Sequence, residues 1–105
     1  MILHIDVVNK VATFQKRDGC IVCDNSGYQI LFSFDSEWDK VLNAADKKAI
    51  FIWNGQSQEV QIDEDMCDVP IIRNAEKVIV GVVAKNAGIV TTGTEIPCKK
   101  SILGK

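Results

Sequence analysis

Three carboxylates stand at alternate positions directly after an aromatic segment, in the stretch FSFDSEWD. They are Asp35, Glu37 and Asp39, and Trp38 lies among them. Oxygen ligands at alternate positions open a calcium loop, but that loop also requires Gly at its sixth position and Glu at its twelfth. A lysine and an aspartate occupy those two positions here. The spacing excludes an EF-hand and leaves an irregular calcium site open.

The four cysteines offer a second kind of chemistry, because the first two have the C-x-x-C spacing of redox and zinc sites. A redox pair needs its first thiol at a helix N-terminus, whereas the Ile-Val between Cys20 and Cys23 favours a strand that points the thiols to opposite faces. Structural zinc usually takes two close pairs, and Cys67 and Cys98 stand alone. We expect four free cysteines that act as small buried apolar residues.

Catalytic signatures are scarce in this sequence. His4 is the only histidine, so most multi-histidine sites are excluded. A G-x-S-x-G nucleophile motif and a glycine-rich phosphate loop are both missing. A glycosidase pair would need a second acid facing the first across a cleft, and no part of the sequence places one. The sequence predicts a protein that is not an enzyme and that holds no cofactor and no metal.

Length and charge narrow the class further. The chain has 105 residues and a net charge of −2, which predicts one domain over residues 1–105 and argues against a nucleic-acid partner, since such proteins carry basic faces. No run of 18 apolar residues is present, so we expect no membrane span. The N-terminal segment lacks the basic region of a signal peptide, which predicts folding in a reducing cytoplasm.

Apolar and polar residues alternate with a period of two over most of the chain, which is typical of strands that bury one face. Helical spacing occurs only over 36–45. Short strands at regular spacing, joined by turn residues, predict an all-β, antiparallel β-sandwich with one short helical turn. The predicted strands cover residues 1–8, 11–14, 20–23, 28–34, 47–53, 59–62, 66–69, 77–85, 89–94 and 96–103.

The predicted strand over 47–53 is apolar on both faces from residue 49 to its end. Ala49, Phe51 and Trp53 alternate there with Ile50 and Ile52. Strands that are buried on both faces read as continuous apolar runs. We therefore expect this strand to be central and covered on both sides.

Two glycines in the second half of the chain mark places where the backbone turns or where another segment comes close. The pair Asn54-Gly55 follows the apolar strand and predicts a type I′ hairpin turn, because both residues tolerate a positive φ. Gly81 interrupts the strand over 77–85, which indicates a bulge or a close backbone approach.

The large aromatics could form a binding platform. Tyr28 and Trp53 are in phase with core positions of their strands, which favours burial. Trp38 follows a strand and lies outside any alternation. It is therefore our candidate for an exposed contact.

Five segments, in order, resemble the N-terminal domain of the phage baseplate upper protein family. They are FSFDSEWD, KKAIFIWNG, CDVP, VIVGVVAKNAGIVTT and IPCKKSIL. The resemblance as a whole covers about residues 1–103. The resemblance implies an immunoglobulin-like β-sandwich in a virion, assembled in the bacterial host cytoplasm. It implies contacts with other copies of the chain, as a homo-oligomer, and with other virion structural proteins of a tail or baseplate. It brings no catalytic residues.

Two functions follow as expectations. The first is a structural virion module that works by protein–protein contacts, with Trp38, Glu37 and Asp39 as the contact residues. The alternative is a carbohydrate-binding module for cell-surface recognition, assisted by calcium at the three carboxylates. The loop that follows Asp39 departs from the family pattern, since it reads Lys-Val-Leu-Asn where relatives carry a glycine turn.

Overall fold

A computed structural model describes residues 1–39 and 47–104 of the chain. These residues form two β-sheets that enclose one apolar core, which confirms the all-β sandwich. The strands are β1 (Ile2–Val8), β2 (Val11–Phe14), β3 (Ile21–Val22), β4 (Gln29–Phe34), β5 (Lys47–Trp53), β6 (Gln56–Gln61), β7 (Met66–Asp68), β8 (Lys77–Ala84), β9 (Ile89–Val90) and β10 (Thr94–Lys99).

The smaller sheet has the strand order β2-β1-β4-β7, and the larger sheet has the order β3-β10-β8-β5-β6, with β9 also paired to β8. Most neighbours are antiparallel, as predicted, but β1 runs parallel to β4 and β3 runs parallel to β10. The sheets are therefore mixed. Alternation along a strand reports which face is buried and carries no information about the direction of the neighbouring strand, so the sequence pattern could not indicate these two pairings.

The core is built from the inward positions of both sheets, since successive side chains of a strand point to opposite faces. In β1 these positions are Leu3, Ile5 and Val7, all fully buried. Other fully buried side chains of the two layers include Ile30, Phe32, Ala49, Phe51, Val78, Val80, Val82 and Ile96. The period of two read from the sequence therefore identifies the core correctly.

The hairpin turn at Asn54-Gly55 is confirmed, with φ of 49° and 74° at the two residues. Its second strand begins at Gln56 and not at residue 59 as predicted. The first residues of β6 are polar and exposed on both faces. An edge strand of this kind shows no apolar alternation, so the sequence pattern missed its start.

Helical structure is limited to α1 (Ser36–Asp39) and two 3-10 turns, over Lys16–Asp18 and Lys85–Ala87, among the described residues. The rest of the predicted helix, from residue 40 onward, lies outside them. Within the same ranges no helix is long and apolar enough to cross a membrane.

Threonine side chains join the two sheets along one side of the sandwich. The backbone N–H groups of Ala12 and Phe14, on the outer edge of β2, donate to the hydroxyls of Thr92 and Thr94 at 3.2 and 2.9 Å. These hydroxyls satisfy donors that an edge strand would otherwise leave to solvent or to another chain. The closure also fixes the segment between β9 and β10 against β2, since the N–H of Thr92 donates to the carbonyl oxygen of Lys10 at 2.8 Å.

Candidate interaction surface

The structure places the predicted contact residue Trp38 inside the protein. Its side chain is 1 % exposed, and its ring packs against Phe34 with centroids 5.1 Å apart. Its indole nitrogen donates a hydrogen bond of 2.6 Å to the carbonyl oxygen of Asn9. The prediction that Trp38 is an exposed contact was therefore wrong, because the short helix turns the ring back onto the core.

The two described carboxylates before Trp38, those of Asp35 and Glu37, have different surroundings. The carboxylate of Asp35 accepts a 2.7 Å hydrogen bond from the backbone N–H of Asn9, while Glu37 is exposed. The side chain of Asp39 lies outside what the structure describes. Within residues 1–39 and 47–104, no three His, Cys, Asp or Glu side chains come together as a cation site, so no observation favours calcium at this corner.

The aromatic platform of the carbohydrate hypothesis is not formed either. Trp53 is 7 % exposed, and the hydroxyl of the half-buried Tyr28 accepts a hydrogen bond of 3.0 Å from the N–H of Val22. A sugar needs a ring face that it can reach. With Trp38 and Trp53 buried, these three side chains cannot offer one.

The cysteines are free, as predicted. Cys23, Cys67 and Cys98 are buried, and Cys20 is half-buried. Burial, with the nearby charge of Asp68, raises the pKa of Cys67 to about 12. Burial, with the neighbouring thiols of Cys23 and Cys20, raises the pKa of Cys98 to about 12. Both groups therefore stay protonated and unreactive near neutral pH.

An uncovered apolar surface lies on the larger sheet instead. The outward positions of β5 and β8 bring Ile52 beside Ile79 and Ile50 beside Gly81. Ile52 is 43 % exposed, and Val90 on β9 is 66 % exposed. We call these five residues the outer face. Side chains of this size are normally removed from water when several of them are neighbours.

The smaller sheet shows what a solvated face looks like in the same protein. Its outward positions on β1 are Ile2, His4 and Asp6, and those opposite on β4 are Gln29, Leu31 and Ser33. On this face each apolar side chain lies beside polar ones. The five residues of the outer face of the larger sheet include no polar side chain.

A shallow groove runs through the middle of the outer face. It has a volume of about 140 Å³ and is lined by Ile50, Ile52, Ile79, Gly81, Val82, Val90, Thr91 and Gly93. A Cβ on Gly81 would lie 3.2 Å from Oγ1 of Thr91, and one on Gly93 would lie 2.5 Å from Cγ2 of Ile79. The close approach predicted for Gly81 is therefore confirmed, since the backbone oxygen of Thr92 would also lie 3.4 Å from that Cβ. At both positions the chain's own atoms occupy the space that a side chain would need.

A β-bulge forms the wall of this groove. Val83 pairs with Val90 and Val80 pairs with Thr94, so two residues of β8 face three residues of the segment between them. The N–H of Val82 donates to Oγ1 of Thr91 at 2.9 Å. An extra residue on one strand bends it locally, and the exposed Val90 lies at the start of this bend.

Charges of both signs surround the apolar part. Lys77 pairs with Glu95 at 3.4 Å and Lys85 pairs with Glu59 at 2.9 Å. The hydrogen bond from Lys85 holds the pKa of Glu59 below its ordinary value, and the nearby charge of Lys48 acts in the same direction. An apolar centre with a polar rim is the usual plan of a protein interface.

A wider cleft continues the outer face toward the Asn54-Gly55 turn. Its volume is about 510 Å³, and it shares Ile52 and Ile79 with the groove. Trp53 lies at its wall, with an indole N–H that is buried and has no hydrogen-bond partner in the described part of the chain. The cleft and the groove therefore adjoin at these two isoleucines.

The sequence pattern identified Ile50 and Ile52 as apolar, but the prediction that both faces of their strand are covered was wrong. The apolar outward positions Ile50 and Ile52 suggested that β5 was covered on both faces. In the structure β5 does have neighbours on either side within the sheet, but no described segment lies over its outward face. A two-layer sandwich has no third layer, so the outward apolar side chains of β5 stay partly exposed.

Comparisons of the chain with models of known families, with curated proteins and with solved structures give no match. The resemblance to the baseplate upper protein family therefore stays a prediction from the sequence motifs.

Proposed function

We propose that this protein is a non-enzymatic structural module of a phage virion, which attaches or assembles components of the tail, the baseplate or another appendage through protein–protein contacts. The observation that carries the proposal is the outer face, where three isoleucines and a valine lie together on one sheet. Exposed apolar patches with a polar rim mark sites that are covered by another macromolecule.

The chemistry of the outer face favours a protein over a small ligand. Its side chains are aliphatic, and the groups that carry hydrogen bonds lie at the rim, where Lys77 and Glu95 already neutralise each other. Aliphatic centres are stabilised by removal from water and not by directional bonds. A folded protein partner with its own apolar patch would cover this surface and remove it from water.

The virion setting rests on the ordered motifs of the sequence. We infer partners of two kinds from them, other copies of this chain and other virion structural proteins, with assembly in the cytoplasm of the bacterial host. The corner that holds Trp38 supports this function by keeping the sandwich rigid.

Mass spectrometry of phage particles, purified by density gradient from the host that carries the gene, tests this proposal. We expect peptides of this chain in the particles at a fixed ratio to the other tail proteins. A chain that is expressed during phage production but washes away from purified particles would contradict the proposed function.

A further inference from the structure

We infer that Asn54 is a site of spontaneous deamidation, and that the loss of its side-chain amide releases the peptide bond between Arg73 and Asn74 from the larger sheet. Residues 70–76 lie between β7 and β8, and we call them the strap. This modification is independent of the proposed function, because it depends only on the turn between β5 and β6 and on the strap that this turn holds.

The turn brings together the two groups that react in deamidation. Asn54-Gly55 is the single Asn-Gly pair of the chain, and glycine has no side chain to hinder attack by its backbone nitrogen on the preceding side chain. Both residues are exposed and line the cleft of about 510 Å³. Among the described residues the N–H of Gly55 meets no hydrogen-bond acceptor, and a Cβ on Gly55 would have no atom within 4 Å. The attacking nitrogen is therefore open to water and to base.

The reaction has two steps, and neither one oxidises or reduces any atom. In the first step the backbone nitrogen of Gly55 bonds to Cγ of Asn54, the Cγ–Nδ2 bond breaks, and ammonia leaves with the proton of the glycine N–H. In the second step water adds to either carbonyl carbon of the cyclic imide and opens the ring. The products are aspartate and isoaspartate, and both carry a carboxylate in place of the amide.

The amide that is lost in this reaction holds the middle of the strap. Nδ2 of Asn54 donates to the carbonyl oxygens of Arg73 and Asn74 at 3.2 and 3.0 Å. An ionised carboxylate only accepts hydrogen bonds, so the product places an acceptor against two other acceptors. Deamidation therefore removes both bonds and adds a repulsion at the same point.

Other contacts hold the rest of the strap. Ile72 is fully buried, and its carbonyl oxygen accepts from the N–H of Asp24 at 2.8 Å. The carbonyl oxygen of Glu76 accepts from the N–H of Cys98 at the same distance. Arg73 pairs with the carboxylate of Asp24 at 3.3 Å, but its side chain is 70 % exposed, and such ion pairs stabilise little. We therefore expect local release in the middle of the strap, and not unfolding of the sandwich.

Peptide mapping by mass spectrometry, after incubation of the folded protein at mildly alkaline pH, tests the modification. Digestion at low pH keeps the reaction slow during the mapping. We expect the peptide that holds Asn54 to gain the mass difference between an amide and an acid, and to separate into aspartate and isoaspartate forms. The other five asparagines precede residues larger than glycine and serve as internal controls. If Asn54 stays an amide, or reacts no faster than those five, the inference is overturned.

An arginine-specific protease tests the release of the strap. The chain has two arginines, and cleavage after Arg73 attacks the carbonyl group that Asn54 holds. Asn54→Asp supplies one product directly, and it should fold because Asp-Gly also suits a type I′ turn. Since proteolysis follows the population of the open form, we expect cleavage after Arg73 to be at least ~5-fold faster than in the parent chain. Cleavage after Arg17, in an exposed 3-10 turn, should be unchanged.

Two further variants separate the lost bonds from the added charge. Asn54→Gly removes the amide without adding a carboxylate and should also speed cleavage after Arg73. Gln58→Glu turns an exposed amide of the same hairpin into a carboxylate and should change neither cleavage rate.

The outcomes distinguish the modification from the proposed function. Equal cleavage after Arg73 in Asn54→Asp and in the parent chain would overturn the release of the strap. Faster cleavage after Arg17 as well would overturn it too, because it would mean general unfolding. The presence of the chain in purified phage particles bears on the proposed function alone.

Discussion

The indole nitrogen of Trp38 lies 2.6 Å from the carbonyl oxygen of Asn9, and this bond connects two parts of the chain that are 29 residues apart. Asn9 occupies the β1–β2 turn with a φ of 58°. Its N–H donates to the carboxylate of Asp35 at 2.7 Å. The segment after β4 therefore bonds both the N–H and the carbonyl oxygen of Asn9, at the tip of the β1–β2 hairpin.

Substitution of Trp38 should reduce stability. Trp38→Phe keeps most of the apolar burial and removes the hydrogen bond, so we expect a loss of about 1 kcal/mol in the free energy of unfolding. Trp38→Ala leaves a cavity and should cost about 3–5 kcal/mol. Urea denaturation measures both.

The exposed neighbour Glu37 provides the control. Glu37→Ala should change the free energy of unfolding by less than about 0.5 kcal/mol. A loss of stability in Glu37→Ala as large as that in Trp38→Phe would contradict the structural role of the buried Trp38.

The hydroxyl of Thr94 should protect the edge of β2. Thr94→Val retains the shape of the side chain and removes the acceptor for the N–H of Phe14, which costs about 1–3 kcal/mol when the donor is left buried. We expect faster hydrogen exchange at the Phe14 amide, measured by NMR. Thr13→Val, at an exposed position of the same strand, should leave that exchange rate unchanged, and equal rates in the two variants would contradict the role of Thr94.

Thiol labelling should follow the burial of the cysteines. At pH 8 a disulfide reagent should modify Cys20 first, while Cys67 and Cys98, whose pKa values are about 12, react only after unfolding. Peptide mapping by mass spectrometry locates the labels, and Cys20→Ser should abolish the fast phase. Rapid labelling of Cys67 in folded protein would mean that β7 opens readily.

Alkaline pH should lower the free energy of unfolding through the same two thiols, Cys67 and Cys98. A folded pKa raised above the ordinary value of 9.0 means that the unfolded chain releases a proton which the fold retains. The stabilisation by these thiols is therefore complete below pH 9 and is lost as the pH rises toward about 12. Urea midpoints should fall over that interval.

Asp18 should contribute to stability in a way that acid removes. Burial disfavours its ionised form, but bonds from the backbone N–H and the imidazole of His4, at 2.7 and 2.9 Å, outweigh that effect and lower the pKa of Asp18. A lowered folded pKa gives stability that is present above the unfolded value near 3.8 and is lost as the pH falls through the folded pKa. The difference in stability between the parent chain and Asp18→Asn should therefore be larger at pH 6 than at pH 2.

The exposed Thr13, which has no ionisable group, serves as the control for that measurement. Thr13→Val should give a difference from the parent chain that hardly changes between pH 6 and pH 2. If the Asp18→Asn difference is equally independent of pH, the ion pair with His4 does not stabilise the fold.

Local sequence was sufficient to predict the existence of the strands, the turn at Asn54-Gly55 and the inward residues of the core, because alternation and positive φ are properties of a few neighbouring residues. It did not predict every strand end, as the early start of β6 shows. It also identified Gly81 as a place where backbones approach. The sequence failed where the answer depends on distant segments. Trp38 looked exposed because its partner Asn9 lies in another strand pair, and the parallel pairing of β1 with β4 leaves no local signature.

The outer face shows the same division most clearly. The sequence by itself determined that Ile50 and Ile52 are apolar and alternate with the core residues of β5. Only the tertiary structure decided that one set faces the core and the other faces outward, because the number of layers in a fold is set by how whole sheets pack. A strand pattern records which side chains avoid water, and the packed molecule determines whether the chain itself or a partner covers them.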